Sequence, residues 1–133
     1  MNSTPPRVLL AEDEVINQKM ALHILKSMGC EGEAVENGLA AIEAVKNGRY
    51  DLILMDMQMP EMDGIEAARK LRERGCSTPI VALSANASEE AREEVLKAGM
   101  NDFLQKPITR NKLELLLRQY SQRDSSDYQP NPA

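Results

Sequence analysis

Leu52-Ile53-Leu54-Met55 is a run of four apolar residues, and Asp56 follows it at once. A run this short, with no helical spacing, reads as a strand buried on both faces. Burial on both faces calls for a parallel sheet with helices packed on either side. In such sheets the chemistry gathers at the carboxyl ends of the strands. A carboxylate at that position serves as a nucleophile, a metal ligand or a simple cap, depending on what converges there.

The rest of the chain repeats this strand-then-helix pattern. Val8-Leu9-Leu10-Ala11 is a second apolar run, and it ends in Glu12-Asp13-Glu14. Ile16, Met20, Ile24 and Met28 recur every four residues, with Leu22 and Leu25 beside them. That spacing predicts an amphipathic helix closed by Gly29. A weaker strand follows around Glu33-Ala34-Val35. After the Asn37-Gly38 turn, Leu39, Ile42 and Val45 mark a helix that ends at Asn47-Gly48. Beyond Asp56, Pro60 stops the strand, and Ile65, Ala68 and Leu71 mark a third helix that ends near Gly75. The charges on that helix (Glu66, Arg69, Lys70, Arg72, Glu73, Arg74) read as a solvated face.

Pro79-Ile80-Val81-Ala82-Leu83 is a fourth strand ending at Ser84. Asn86 and Glu89 have capping-box spacing, with Ser88 as the alternative cap. The short helix behind them carries Val95 and Leu96 and closes at Gly99. Asp102-Phe103-Leu104-Gln105 is the fifth strand, followed by Lys106-Pro107. Thr109 is placed to cap a last helix with Leu113, Leu116, Leu117 and Tyr120 on one face. The division is a polar lead-in over 1–6, one domain over 7–120 and a polar tail over 121–133.

Five strand–helix units imply an α/β three-layer sandwich with right-handed crossovers. The common order for such a chain is 2-1-3-4-5, which sets the ends of the first and third strands side by side. Glu12, Asp13 and Asp56 then share one site. Two carboxylates ~4 Å apart repel by about 4 kcal/mol at an effective dielectric near 20, so three together call for protonation or a cation. Mg²⁺, with its preference for oxygen ligands, suits them, and the Gln58 backbone carbonyl lies within reach as a further ligand; Mn²⁺ is the alternative. Acidic residues also favour helix N-termini. That accounts for one acid of the cluster, but not for three on two strands.

Ser84 and Lys106 end the next two strands. Each has an ordinary reading, as a turn hydroxyl and as a surface charge. Together with a carboxylate nucleophile and a dication they describe a site for a phosphoryl group, whose oxygens the hydroxyl and ammonium would hold.

In this order, the acidic pair Glu12-Asp13, Asp56 with Met59-Pro60 and Asp63-Gly64, Ser84-Ala85, and Lys106-Pro107 resemble the receiver domain of two-component response regulators. The resemblance covers roughly Arg7 to Tyr120. It implies the flavodoxin-like (βα)5 fold, and receivers are themselves a known example of the 2-1-3-4-5 order, which is therefore carried over rather than derived. It further implies that Asp56 accepts phosphate from a phosphohistidine and that Glu12, Asp13 and Asp56 bind Mg²⁺. Ser84 and Lys106 would hold the phosphoryl oxygens, and the Lys106-Pro107 bond would be cis. Phe103 occupies the position of the family's switch aromatic; as an ordinary strand residue it would be a plain core phenylalanine.

The stretch from Met55 to Gly64, with Asn17-Gln18, is most similar in wording to receivers of hybrid sensor histidine kinases. Partners implied are a histidine kinase or histidine phosphotransfer protein. The family's docking surfaces are the first helix, or the fourth helix, fifth strand and fifth helix, the latter also a route to a homodimer. The domain is then a phosphoacceptor that catalyses its own phosphorylation and dephosphorylation rather than an enzyme with an outside substrate. A Mg²⁺-dependent phosphohydrolase and a degenerate receiver that only binds partners are the competing readings.

Composition fits this picture. A chain of 133 residues with 42% hydrophobic and 28% charged content has room for one core. A net charge of −5 with no basic tract argues against direct nucleic-acid binding. No apolar run approaches the ~20 residues of a membrane span. Cys30 and Cys76 lack the spacing of a disulfide scaffold or metal motif, as expected for a cytoplasmic chain.

Overall fold

The computed structural model describes residues 5–59, 61–86 and 88–121. Pro60, and the expected lead-in and tail apart from Pro5, Pro6 and Ser121, lie outside the described residues. The elements run β1 (Arg7–Ala11), α1 (Val15–Ser27), β2 (Glu31–Val35), α2 (Gly38–Asn47), β3 (Leu52–Asp56), α3 (Gly64–Glu73), β4 (Ile80–Ser84), α4 (Glu89–Lys97), β5 (Asp102–Gln105) and α5 (Arg110–Ser121). The five strands form one parallel sheet in the order β2-β1-β3-β4-β5, as expected.

Alternation along the strands splits the core into two layers. Leu9, Ala11, Ile53, Met55, Ile80 and Ala82 face α2, α3 and α4, while Val8, Leu10, Leu52, Leu54, Val81 and Leu83 face α1 and α5. All five residues of β3 are buried, which is why no alternation is visible in its sequence. Gly29, Gly75 and Gly99 take φ of +81°, +89° and +95°, each one residue past a helix C-cap. This left-handed stop suits glycine.

Several local readings change. On α1 the four-residue stripe is not the buried one. Ala21 and Leu25 are buried, whereas Val15, Ile16 and Met20 are 58%, 71% and 55% exposed. Steps of four turn a helix by about 400°, so such a stripe drifts round the axis, from the exposed Ile16 and Met20 to Ile24 and Met28, which are half-buried against the core. On α4, Val95 is buried and Leu96 is turned outward. The cap of α4 is Ser88, whose hydroxyl accepts from the Ala91 N–H at 3.1 Å, while Asn86 accepts from the Ser88 N–H instead. β2 also begins earlier than its sequence suggests, because it pairs with β1 from Arg7↔Glu31 onward.

Arg72 is not on a solvated face. Its Nε donates to Gly99 O, Nη1 to Cys76 O and Thr78 O, and Nη2 to Asn101 Oδ1, all between 2.7 and 2.8 Å. Asn101 Oδ1 also accepts from the Ile80 N–H. One guanidinium thus ties the end of α3 to the start of β4 and the turn after α4. Arg72→Met keeps the stem and removes all of these donors. It is expected to cost about 3 kcal/mol, read as a lower urea midpoint with an unchanged slope, and Arg72→Lys is not expected to recover it.

Candidate phosphoryl-transfer site

Strand register brings the predicted residues to one edge. Ala11 lies opposite Met55, Asp56 opposite Leu83, and Ser84 opposite Gln105. The ladder runs one residue past several strands: Glu12 N–H donates to Val35 O, Met57 N–H to Leu83 O and Lys106 N–H to Ser84 O. The backbone around each functional side chain is therefore held by sheet hydrogen bonds.

One oxygen from each of Glu12, Asp13 and Asp56 lies within 4.8 Å of the others. Glu12 and Asp56 are 1% and 5% exposed, an unusual state for carboxylates, and Asp13 is exposed. Glu12 Oε2 accepts from Glu14 N–H at 3.0 Å and from the Asn17 amide at 3.4 Å, while Gln18 donates to the Glu12 carbonyl at 2.6 Å. Asn17 and Gln18 therefore orient Glu12, a role their sequence position does not reveal. Glu12 Oε1 is buried and accepts no hydrogen bond from the described residues, although Lys106 Nζ pairs with it by charge at 3.3 Å.

Lys106 Nζ donates to Asp56 Oδ2 at 2.9 Å, across 50 residues of chain, and Gln58 N–H donates to Asp56 Oδ1 at 3.2 Å. Burial pushes the Asp56 carboxyl above its ordinary pKa; the bonds from Lys106 and Gln58 oppose this, and the charge of Glu12 adds to it. Burial works against the Lys106 ammonium, yet the bond to Asp56 and the two carboxylate charges raise its pKa on balance. Both shifts describe one crowded pair with more negative charge than a single lysine satisfies. Three carboxylates sharing one lysine, with Glu12 Oε1 buried and held only by that charge, form a set of hard oxygen donors that fits a small divalent cation.

Ser84 Oγ donates to Asn86 O at 3.1 Å and accepts from Asn86 N–H at 3.0 Å, so in this state its proton is held by its own loop. Phe103 is half-buried and packs against the core layer of α2, α3 and α4, and the Arg92 guanidinium carbon lies 6.0 Å from its ring centroid. The Lys106-Pro107 bond is cis, as the resemblance implies. His23 is exposed on α1. An open cleft of about 1030 Å³ lies elsewhere, among Arg7, Lys46, Tyr50, Asp51 and Cys76.

The family model for the response regulator receiver domain matches residues 8–118. This chain belongs to the receiver domains of two-component signalling. It is 44% identical over 115 residues to hybrid signal transduction histidine kinase B of Dictyostelium discoideum, covering 77% of this chain and only 6% of that kinase. The receiver domain of sensor histidine kinase PA1611 from Pseudomonas aeruginosa, solved with magnesium in its active-site cleft, is 40% identical. It superposes with a TM-score of 0.80, over 88% of this chain and 98% of that one. The receiver of the yeast regulator Ssk1, from Saccharomyces cerevisiae, was solved with the histidine phosphotransfer protein Ypd1. The likeness is 30% identity and a TM-score of 0.86, over 96% of this chain and 98% of the solved chain. The receiver fold is therefore complete here, within relatives that range from isolated receivers to much longer kinases.

Proposed function

We propose that this receiver takes a phosphoryl group from a phosphohistidine onto Asp56. The observation that carries the reading is the pairing of Asp56 with Lys106 at 2.9 Å beside the buried, under-bonded Glu12. An Asp56 carboxylate oxygen attacks phosphorus, the P–N bond to the donor imidazole breaks, and its electron pair returns to the ring nitrogen. Glu12, Asp13, Asp56 and the Gln58 backbone carbonyl would hold Mg²⁺, which when bound would supply neutralising positive charge to the phosphoryl oxygens. Lys106 Nζ moves its hydrogen bond from Asp56 to a phosphoryl oxygen. Ser84 releases the Asn86 carbonyl and donates to another.

Those two charge-assisted bonds are worth about 3–6 kcal/mol together. Swinging a two-state equilibrium from 1:99 to 99:1 takes roughly 5.5 kcal/mol, so phosphorylation shifts the population substantially and completes the reversal only at the top of that range. Phe103 has no hydroxyl, and its part in the switch is by packing beneath Arg92.

For the partner, the exposed Val15, Ile16 and Met20 follow directly on Glu12-Asp13-Glu14 and offer an apolar face beside the site. A histidine phosphotransfer protein or kinase docked there would bring its imidazole to Asp56; a partner of that class is supported by the Ssk1 receiver, which was solved with the histidine phosphotransfer protein Ypd1. The alternative surface of α4, β5 and α5, with its homodimer, offers one exposed large apolar residue on each helix, Leu96 and Leu115. The first helix is favoured. A phosphohistidine donor of two-component signalling puts the domain in the cytoplasm under this reading; no described helix is long and apolar enough to cross a membrane.

The test is incubation of the chain with acetyl phosphate and Mg²⁺, followed by intact mass. Gain of one phosphoryl group, absent when EDTA is present from the start of the reaction, is expected. A folded chain that takes up none overturns the reading. Repeated turnover of a soluble phosphate ester would favour the phosphohydrolase instead.

A further inference from the structure

The first turn of α5 carries charge of the unfavourable sign. Arg110 and Lys112 stand there with no acidic residue, although a helix N-terminus favours anions. Thr109 Oγ1 accepts from the Lys112 N–H at 3.3 Å, so Lys112 occupies the third helical position. A capping box would set glutamate or glutamine there. A lysine at this point does nothing for the helix end.

Its ammonium is used elsewhere. Lys112 Nζ donates to Gln105 O at 2.8 Å and to Pro107 O at 3.1 Å, the carbonyls on either side of Lys106. An ammonium has three donors and no acceptor, which suits bridging two carbonyls. The same turn is tied on its other side, where Lys106 N–H donates to Ser84 O at 2.8 Å and Gln105 Nε2 to Ala85 O at 3.4 Å. Lys112 touches neither Asp56 nor Glu12, yet it fixes the peptide that enters Lys106 and the one that leaves Pro107, on either side of the residue that does.

We propose that Lys112 is a positioning residue for phosphoryl transfer, its ammonium clamping the carbonyls that flank Lys106 and so setting where Lys106 Nζ meets Asp56. This rests on the phosphoacceptor reading above. It assigns Lys112 no contact with the phosphoryl group and no part in holding the cation.

The experiment measures the rate of Asp56 phosphorylation by acetyl phosphate, Mg²⁺ affinity by calorimetry, and thermal stability, on the same proteins. Lys112→Met, which keeps the stem, is expected to slow phosphorylation roughly tenfold, as a displaced reacting group does, with Mg²⁺ affinity within about twofold of wild type. Lys112→Gln restores capping-box chemistry and is expected to match wild-type stability while remaining slow. Lys112→Arg, which keeps a donor-only cation, is expected to recover most of the rate. In a Lys106→Ala background, Lys112→Met is expected to cause no further loss, because the clamp acts through Lys106.

A wild-type rate for Lys112→Met, an equal loss in the Lys106→Ala background, or a rate that simply follows stability across the set would overturn the proposal. An unreactive wild-type chain would instead overturn the phosphoacceptor reading and this proposal with it.

Discussion

Asp56→Asn is expected to abolish phosphoryl uptake, by at least about a thousandfold, because the amide offers no carboxylate to attack phosphorus. The variant is also expected to be more stable than wild type at neutral pH in EDTA. Burial and the charge of Glu12 raise the Asp56 carboxyl above its ordinary pKa of 3.8, against the bonds from Lys106 and Gln58. For an acid shifted upward, the ionised form costs the folded state. The cost is absent below 3.8, grows as pH rises from there, and is complete above the folded-state value. Asparagine carries no such cost, so the stability gap should close as the pH is lowered past 3.8.

Mg²⁺ should reverse the ranking. At a hundred times its dissociation constant, a ligand of the folded state adds about 2.7 kcal/mol, and the variant has lost one of the three acids that hold the cation. Paired melts in EDTA and in Mg²⁺, over a pH series, check both parts. A variant less stable than wild type in EDTA would mean that the Lys106–Asp56 pair outweighs the burial of Asp56.

Gly64→Ala is expected to be among the most damaging single-methyl additions in the chain. Gly64 opens α3 behind its cap, Asp63, whose side chain accepts from Glu66 N–H at 3.0 Å. Its φ is not in the left-handed range, so glycine is required here for space and not for conformation. A Cβ would lie 2.3 Å from the Asp56 carbonyl oxygen, 3.1 Å from its carbonyl carbon and 3.0 Å from Met55 Cγ. Backbone in the central strand of a sheet cannot swing aside as a side-chain tip does. The cost should reach about 3 kcal/mol, lowering Tm by roughly 10–20 °C. Because the clash falls on Asp56 itself, the surviving folded protein should also phosphorylate more slowly. Wild-type stability and rate in Gly64→Ala would show that α3 shifts freely away from β3.

Much of this was legible in the residue order. The apolar runs of β1, β3 and β4 lie in the middle of a sheet and are buried on both faces, so composition alone marks them as strands. Gly29, Gly75 and Gly99 mark helix ends because only glycine takes the left-handed turn without strain. Carboxylates, hydroxyl and lysine directly after their strands announce a site, although it was resemblance to receivers that supplied the strand order joining them.

What the order of residues determined on its own is therefore local: which segments are strands or helices, where each stops, and which reactive groups stand at the stops. Tertiary structure alone decided that Arg72 braces three segments, that Ile16 and Met20 face outward, that Asn17 and Gln18 hold Glu12, and that Lys112 reaches back to the carbonyls of the two residues flanking Lys106. The physical reason is distance along the chain. Propensity and periodicity register neighbours within about one helical turn, whereas Arg72 meets Asn101 across 29 residues and Lys106 meets Asp56 across 50. Such partners exist only once the sheet has set its register.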